Sequence, residues 1–275
     1  MEIKIKGVNI SYEEFGSGRP FLGIHGWQLD HRSVMADFEP IFNEREGWRR
    51  LYPDLPGMGT TRCADWIKNA NHYLDILLEF MQTLAPNEHF TVAGSSYGSY
   101  LARGIVHELL NQLNGLMISV PVIEADFDKR IRPEFRVLHE DVEFLASLKP
   151  EEGDAAEMVV AQSMELLEAF RSTIWPAVAL ADQEFLKGVQ ANYESSYLVD
   201  AHPEPFPAPT LILTGRFDHW CGYQEAFRLL DNYPRATFAV LDRAGHALSL
   251  EQKSVFRALA SEWLDRVEEY IYQKG

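Results

Sequence analysis

The chain has 275 residues, of which 46% are hydrophobic, and its 41 acidic against 25 basic residues give a formal net charge of −16. This length and apolar content suffice for one large core carrying an insertion, and no run of about 18 apolar residues indicates a membrane-spanning helix. Because so negative a chain repels phosphate backbones, we expect neither a nucleic-acid partner nor a membrane.

The start of the chain and its two cysteines favour a cytoplasmic protein. Residues 1–15 predict two antiparallel strands that turn at Lys6-Gly7, because charged and apolar residues alternate there. Such alternation differs from the apolar segment of a signal peptide. Cys63 and Cys221 lie far apart in sequence without metal-ligand spacing, so we expect free thiols and no metal.

The next segments predict a buried strand, a turn and a helix. The apolar run over residues 21–24 leads into His25-Gly26-Trp27, and residues 52–59 read Tyr-Pro-Asp-Leu-Pro-Gly-Met-Gly. Apolar residues then recur at helical spacing, which predicts an amphipathic helix over residues 66–84.

Ser96 is the first candidate for a chemical role. It is the central residue of Gly-Ser-Ser-Tyr-Gly at residues 94–98, after an apolar run and before a helix-forming stretch. A strand that reverses into a helix within a few residues forces a sharp turn, and the glycines two before and two after the serine relieve its crowding. Such a turn presents the serine hydroxyl to a base and predicts a nucleophile.

The middle third of the chain changes in character. Amphipathic patterns predict helices over residues 135–148, 154–170 and 182–192, with no strand signal among them. Residues 121–205 hold 18 acidic and seven basic residues, so this segment carries most of the negative charge. We expect a solvated outer face, although some of these carboxylates could reach a pocket and attract a cationic substrate.

The last third places two titratable residues directly after predicted strands. The apolar run 210–213 leads to Asp218, and the run 238–241 leads to His246. A final helix is expected to begin near Ser249, with Gln252 completing a capping box. Strands that alternate with helices indicate a mainly parallel sheet covered on both faces. The chain lacks glycine-rich phosphate loops, so no nucleotide cofactor is implied.

The order Ser96, Asp218, His246, together with residues 21–27 and 52–59, resembles the α/β-hydrolase superfamily, in particular esterase-like members with a helical cap. Met58 stands where the family usually has a histidine, a departure at a structural position. The resemblance implies an α/β-hydrolase fold, with residues 1–120 and 206–275 as the core and residues 121–205 as an inserted helical cap over the nucleophile.

The resemblance also implies roles for individual residues. Ser96 is the expected nucleophile, His246 the base and Asp218 the acid that orients the imidazole, while the backbone N–H groups of Tyr97 and Trp27 form the oxyanion hole. We expect the His25 side chain to hydrogen-bond backbone groups of the loop that carries Trp27.

Alternatives remain for the acid and for the substrate-binding residues. Glu124 occupies a place that some members use for the acid, whereas Asp242 suits a strand end better. His219 is a competing site residue because it adjoins Asp218. Glu124, Asp126 and His219 are the candidate substrate-binding residues, and Asp128 is a further cap carboxylate that could reach the pocket.

The sequence therefore predicts a serine hydrolase that cleaves a small or medium carboxylic ester through an acyl-enzyme, with no metal or organic cofactor. One alternative is a proline iminopeptidase-like aminopeptidase, whose acidic cap would bind a substrate amine. Others are a C–C bond hydrolase, a hydroxynitrile lyase and a non-enzymatic binding protein of the same fold. The oligomeric state has no signature in the sequence.

Overall fold

The computed structural model describes residues 1–196, 198–201 and 204–274, so residues 197, 202 and 203 of the predicted cap and residue 275 of the predicted core lie outside the described residues. Within those ranges the strands are β1 Glu2–Ile5, β2 Val8–Phe15, β3 Arg19–Ile24, β4 Trp48–Pro53, β5 Phe90–Ser95, β6 Leu113–Ser119, β7 Thr210–Gly215 and β8 Ala236–Leu241. They form one sheet in the order β1-β2-β4-β3-β5-β6-β7-β8.

The sheet is mainly parallel, as the sequence predicted. Strands β3 to β8 are parallel to one another, and β1 and β2 add an antiparallel edge next to β4. The predicted turn is confirmed: Ile5 pairs with Val8, while Lys6 and Gly7 adopt positive φ values of 48° and 85°. Two positive φ angles match the right-handed twist of a tight hairpin.

Helices cover both faces of the sheet. Their bounds are α1 His31–Phe42, α2 Ala70–Leu84, α3 Tyr97–Leu109, α4 Val142–Ser147, α5 Met164–Ala169, α6 Trp175–Leu180, α7 Gln183–Gln190, α8 Leu248–Glu251 and α9 Lys253–Lys274. One buried apolar cluster joins α2 and α3 to the sheet, and a second joins α1 and α9 to its other face. In the described ranges, no helix has the length and apolar character needed to cross a membrane.

One predicted helix start and one predicted helix cap are wrong. The helix expected from residue 66 begins at Ala70, because the side chain of Asn69 caps it by accepting from the His72 N–H. The capping box at Ser249 does not form, since α8 begins at Leu248 with no side-chain cap. The Ser249 hydroxyl hydrogen-bonds Asp37 instead.

Residues 121–205, which we call the inserted segment, connect β6 to β7 with short helices. The predicted helix over 135–148 shortens to α4, because Asp141 caps its start by accepting from two backbone N–H groups. The prediction over 154–170 is partly wrong, since a 3₁₀ stretch at Pro150–Glu157 precedes α5, which continues through a π-helical turn into α6. The third predicted helix corresponds to α7.

The inserted segment has a small apolar core of its own. Six buried residues form it, namely Phe144, Ala155, Val159, Leu166, Leu167 and Phe170. Polar contacts join the segment to the rest of the chain at several places. Among them, Arg103 of α3 pairs with Asp200 at 2.6 Å, and the Glu251 carboxylate accepts from the N–H groups of Val160 and Ala161. The division into core and cap stays a prediction.

Candidate active site

Ser96 occupies a strained turn between β5 and α3. Its backbone has φ 52° and ψ −116°, a conformation that only a strongly constrained non-glycine residue adopts. A Cβ atom on Gly94 would lie 2.2 Å from the Gly98 carbonyl oxygen, and one on Gly98 would lie 2.3 Å from the Ile24 carbonyl oxygen. Both glycines are therefore required for the close packing that holds the serine out of the backbone.

His246 lies between Ser96 and Asp218. The distance from Ser96 Oγ to His246 Nε2 is 3.1 Å, and His246 Nδ1 lies 3.0 Å and 3.2 Å from the two Asp218 oxygens. Because a carboxylate only accepts, this arrangement fits the tautomer in which Nδ1–H donates to Asp218 and Nε2 accepts from the serine hydroxyl. The three residues predicted from chain order thus form one hydrogen-bonded line.

Asp218 is held rigidly at the end of β7. Its side chain is fully buried, and its Oδ1 accepts from the N–H groups of Trp220 and Cys221 at 2.9 Å and 3.0 Å. Burial acts to lower the pKa of His246, but the Asp218 charge outweighs it and raises that pKa well above its ordinary value. The site therefore stabilises an imidazolium, which is the form that a base reaches after taking a proton.

The predicted oxyanion residues flank the serine. Tyr97 is the first residue of α3, where the backbone N–H has no carbonyl partner one turn earlier in the helix. Trp27 lines the same cavity as Ser96.

His25 fixes the neighbouring loop. Its Nδ1–H donates to the Gly26 carbonyl at 2.8 Å, and its Nε2 accepts from the Leu55 N–H at 2.9 Å. Burial lowers its pKa, so His25 is neutral and ties residues 25–27 to the turn at residues 52–59. The expected backbone contact of His25 is confirmed. Met58 in that turn is fully buried.

A cavity of about 750 Å³ opens above Ser96. Core residues Trp27, Ser96 and His246 line one side, and residues of the inserted segment, such as Phe170 and Tyr193, line the other. Drug-sized ligands occupy cavities of this size. The cavity thus joins the hydrogen-bonded line to a space for a small organic substrate.

The candidate substrate-binding residues differ in their placement. Asp126 lines the cavity, with its carboxylate 3.1 Å from Lys129 Nζ. Glu124 and His219 are not among the described residues that line this cavity. The Glu124 carboxylate accepts from the Asp126 N–H, and the His219 ring packs on Phe135 at 4.8 Å. Glu124 is also not part of the hydrogen-bonded line of Ser96, His246 and Asp218.

Among the described lining residues, sequence reasoning missed three charged side chains and a thiol, which are Asp37, Arg130, Glu194 and Cys221. Asp37 lies on α1, a segment that carried no assigned pattern. Burial raises its pKa to about 7, against the Ser249 hydrogen bond and the charges of Arg257 and Lys253. Cys221 follows Asp218 by three residues, and this short spacing after a candidate triad residue is the one feature of the sequence that could have placed Cys221 near the site.

A sequence model described as the alpha/beta hydrolase family matches residues 21–259. The AB hydrolase superfamily protein YisY of Bacillus subtilis (strain 168) is 23% identical over 278 residues, which cover 93% of this chain and 95% of that protein. These matches extend over both the core strands and the inserted segment.

Two solved structures show the same fold. The alpha/beta superfamily hydrolase from Oenococcus oeni PSU-1 superimposes with a TM-score of 0.88 at 28% identity, covering 98% of this chain and 99% of that one. The esterase EaEST from Exiguobacterium antarcticum has a TM-score of 0.73 at 18% identity, covering 96% and 98%. At 18% identity the second likeness concerns the fold alone.

Proposed function

The chain belongs to the alpha/beta hydrolase family, and we propose that it hydrolyses small or medium carboxylic esters through an acyl-enzyme formed on Ser96. The observation that carries the proposal is the 3.1 Å contact between Ser96 Oγ and His246 Nε2, continued by the 3.0 Å contact from His246 Nδ1 to Asp218. A base within hydrogen-bond reach of a hydroxyl, itself oriented by a buried carboxylate, is what nucleophilic catalysis requires.

Acylation uses all three residues. As Ser96 Oγ attacks the ester carbonyl carbon, its proton passes to His246 Nε2, and Asp218 stabilises the resulting imidazolium without taking the proton. The imidazolium then protonates the alkoxide leaving group as the C–O bond breaks. The strained backbone of Ser96 keeps its hydroxyl directed at the base throughout.

The oxyanion is assigned to the backbone N–H groups of Tyr97 and Trp27. Each donor aimed at the developing negative oxygen contributes about 3 to 4 kcal/mol to transition-state stabilisation. The neutral His25 ring, bonded to Gly26 and Leu55, holds the loop that carries Trp27. Deacylation repeats the sequence with water in place of the serine hydroxyl and releases the carboxylic acid.

The inserted segment is proposed as the cap of this site. Its residues form one wall of the cavity above Ser96, and its separate apolar core fits a unit that packs on the catalytic face. A cap of this kind excludes bulk water and shapes the pocket, so substrate choice depends on its lining.

A panel of p-nitrophenyl esters of increasing acyl length, set against proline p-nitroanilide, tests the proposal. We expect turnover of the esters by the intact chain and loss of that turnover in Ser96→Ala. Faster turnover of the anilide than of every ester would contradict the proposal.

A second candidate is an aminopeptidase that binds a substrate amine, as in proline iminopeptidases. It is favoured by the three carboxyl side chains on the cavity wall, those of Asp37, Asp126 and Glu194. The same panel separates the two candidates, because a free substrate amine is required only by the second.

A further inference from the structure

A thiol lies against the hydrogen-bonded line of the candidate active site. Cys221 is only 3% exposed, and its sulfur, an Asp218 carboxylate oxygen and a His246 ring nitrogen all lie within 4.8 Å of one another. Cys221 and His246 also line the cavity that contains Ser96, so a small ion in the cavity can reach them. Thiolate, imidazole and carboxylate are the protein ligands that zinc binds.

We propose that Asp218, Cys221 and His246 form an inhibitory Zn²⁺ site, with water from the cavity as the fourth ligand. The effect on turnover rests on the proposed function, whereas zinc binding itself does not. The role assigned to Cys221 is separate from ester hydrolysis, which needs no thiol.

The spacing of the Asp218 and His246 ligand atoms is close to that around a tetrahedral ion, and the Cys221 sulfur lies within 4.8 Å of both. Zinc binds carboxylate oxygen and imidazole nitrogen at about 2.0 Å and thiolate sulfur at about 2.3 Å, which places tetrahedral ligand atoms roughly 3.3 to 3.6 Å apart. Asp218 Oδ2 and His246 Nδ1 are 3.0 Å apart, so these two ligands need to separate by only a few tenths of an ångström. The N–H groups of Trp220 and Cys221 hold Oδ1, which leaves Oδ2 to face the ion.

Zinc at this position prevents His246 from acting as a base, because it changes the tautomer of the imidazole ring. The ion replaces the proton on His246 Nδ1, because that nitrogen faces the carboxylate. The displaced proton moves to Nε2, and the Cys221 thiol releases its proton to solvent as it becomes a thiolate. Nε2–H then donates toward Ser96 Oγ and cannot accept the hydroxyl proton, so the serine is no longer activated.

The surrounding charges set a moderate affinity. The nearest cation is Arg130, whose Nη1 lies 3.9 Å from the Cys221 sulfur; its guanidinium donates to the backbone carbonyls of Glu124, Ala125 and Trp220. This charge repels the ion, while the carboxylates of Asp126 and Glu194 on the cavity wall attract it. We therefore expect reversible inhibition rather than a permanently bound metal.

The first test is a ZnCl₂ titration of p-nitrophenyl ester hydrolysis in chelator-free buffer, with each rate expressed relative to the same protein without zinc. We expect half-inhibition of the unaltered chain below about 1 mM and reversal by EDTA. Cys221→Ala and Cys221→Ser should raise the inhibitory concentration at least about tenfold. Cys63→Ala is the matched control, because Cys63 is exposed and contacts Asp182, and its zinc sensitivity should equal that of the unaltered chain.

The second test does not depend on turnover. Zinc should slow the alkylation of Cys221 by iodoacetamide in the full chain, followed by peptide mass spectrometry, while Cys63 is alkylated at an unchanged rate. Equal zinc inhibition of the chain and both Cys221 variants, or an unprotected Cys221, would overturn the proposal. If no ester is hydrolysed, the proposed function fails, and the alkylation rate alone decides whether zinc binds.

Discussion

The two walls of the cavity are built in different ways. On the core side, Ser96, Asp218 and His246 follow β5, β7 and β8, and the hydrogen bonds of adjacent parallel strands fix their relative positions. On the other side, the inserted segment consists of short helices, some of which surround six buried residues, while α7 packs on the main core through Leu186 and Val189. The sheet therefore fixes the positions of Ser96, Asp218 and His246, whereas the shape of the cavity depends on the inserted segment.

The largest predicted effect concerns the core wall. Ser96→Ala should lower kcat for p-nitrophenyl ester hydrolysis by at least about 10⁴-fold, because it removes the nucleophile but leaves the sheet intact. Steady-state kinetics with circular dichroism measures both properties. Ser172→Ala is the matched control, because this serine lies in the inserted segment and its hydroxyl donates to the Glu168 carbonyl. We expect the Ser172→Ala variant to keep the kcat of the unaltered chain. Comparable losses of kcat in Ser96→Ala and Ser172→Ala would contradict the assignment of the nucleophile to the core wall.

The next prediction concerns the junction between the walls. The Glu251 carboxylate accepts from the N–H groups of Gly245, Val160 and Ala161, so one side chain ties the loop before His246 to the inserted segment. Glu251→Ala leaves these donors without their acceptor, and we expect a loss of about 3 kcal/mol in the free energy of unfolding.

Urea denaturation measures the Glu251 effect, and Glu251→Gln, which keeps one acceptor oxygen, should lose less. We also expect Glu251→Ala to lower kcat about tenfold, since the loop that positions His246 is released. A change below about 0.5 kcal/mol, the range of ordinary surface substitutions, would show that the Glu251 contacts do not stabilise the junction of the two walls.

Asp37, which lies on α1 and lines the cavity, gives a prediction about how the free energy of unfolding depends on pH. Its folded pKa is about 7 against an ordinary value of 3.8. Because the folded pKa is raised, the protonated carboxyl contributes stability below about pH 4, and this contribution is lost as the pH rises to about 7. The side chain is only partly covered, so we expect Asp37→Asn to be more stable than the unaltered chain by about 2 kcal/mol above pH 7.

Urea denaturation at about pH 4.5 and about pH 8.5 checks the Asp37 prediction. The gain should be smaller at the lower pH, where the carboxyl in the unaltered chain is largely neutral. A gain that does not vary with pH would mean that Asp37 does not titrate in this range.

The smallest predicted effect separates cavity carboxylates from those on the outer face of the inserted segment. Asp126→Asn combined with Glu194→Gln should lower kcat/KM for an ester with a charged amine, relative to its neutral analogue, by up to about tenfold. Both residues line the cavity. The matched pair Glu140→Gln and Glu143→Gln, on exposed positions, should leave that ratio within about twofold. Equal ratios in the two double variants would show that the cavity acids do not select substrates.

The sequence predicted the core more completely than the inserted segment. Each candidate triad residue follows an apolar run, and in a parallel sheet the residues after neighbouring strands meet at one edge, so the contact of Ser96, His246 and Asp218 could be expected. The start of α2 was placed too early because Trp66 continues the apolar spacing, whereas Asn69 supplies the cap.

The cavity lining was less predictable for a physical reason. Asp37 and Glu194 reach the cavity only through tertiary packing, and no local pattern marks them, whereas Cys221 is marked only by its spacing after Asp218. In the inserted segment, the expected helix over residues 135–148 contracts to α4 because the Asp141 cap outweighs the apolar spacing before it. Short helices take much of their stability from packing, which one sequence does not display.

Activation of Ser96 by His246 is tested by the rate at which a fluorophosphonate labels Ser96, followed by intact-protein and peptide mass spectrometry. If His246 activates the serine, the full chain should acquire one adduct, located on Ser96, and His246→Ala should slow its formation at least about 100-fold. Equal labelling rates in the two proteins, or an adduct on another residue, would contradict nucleophilic catalysis at this site.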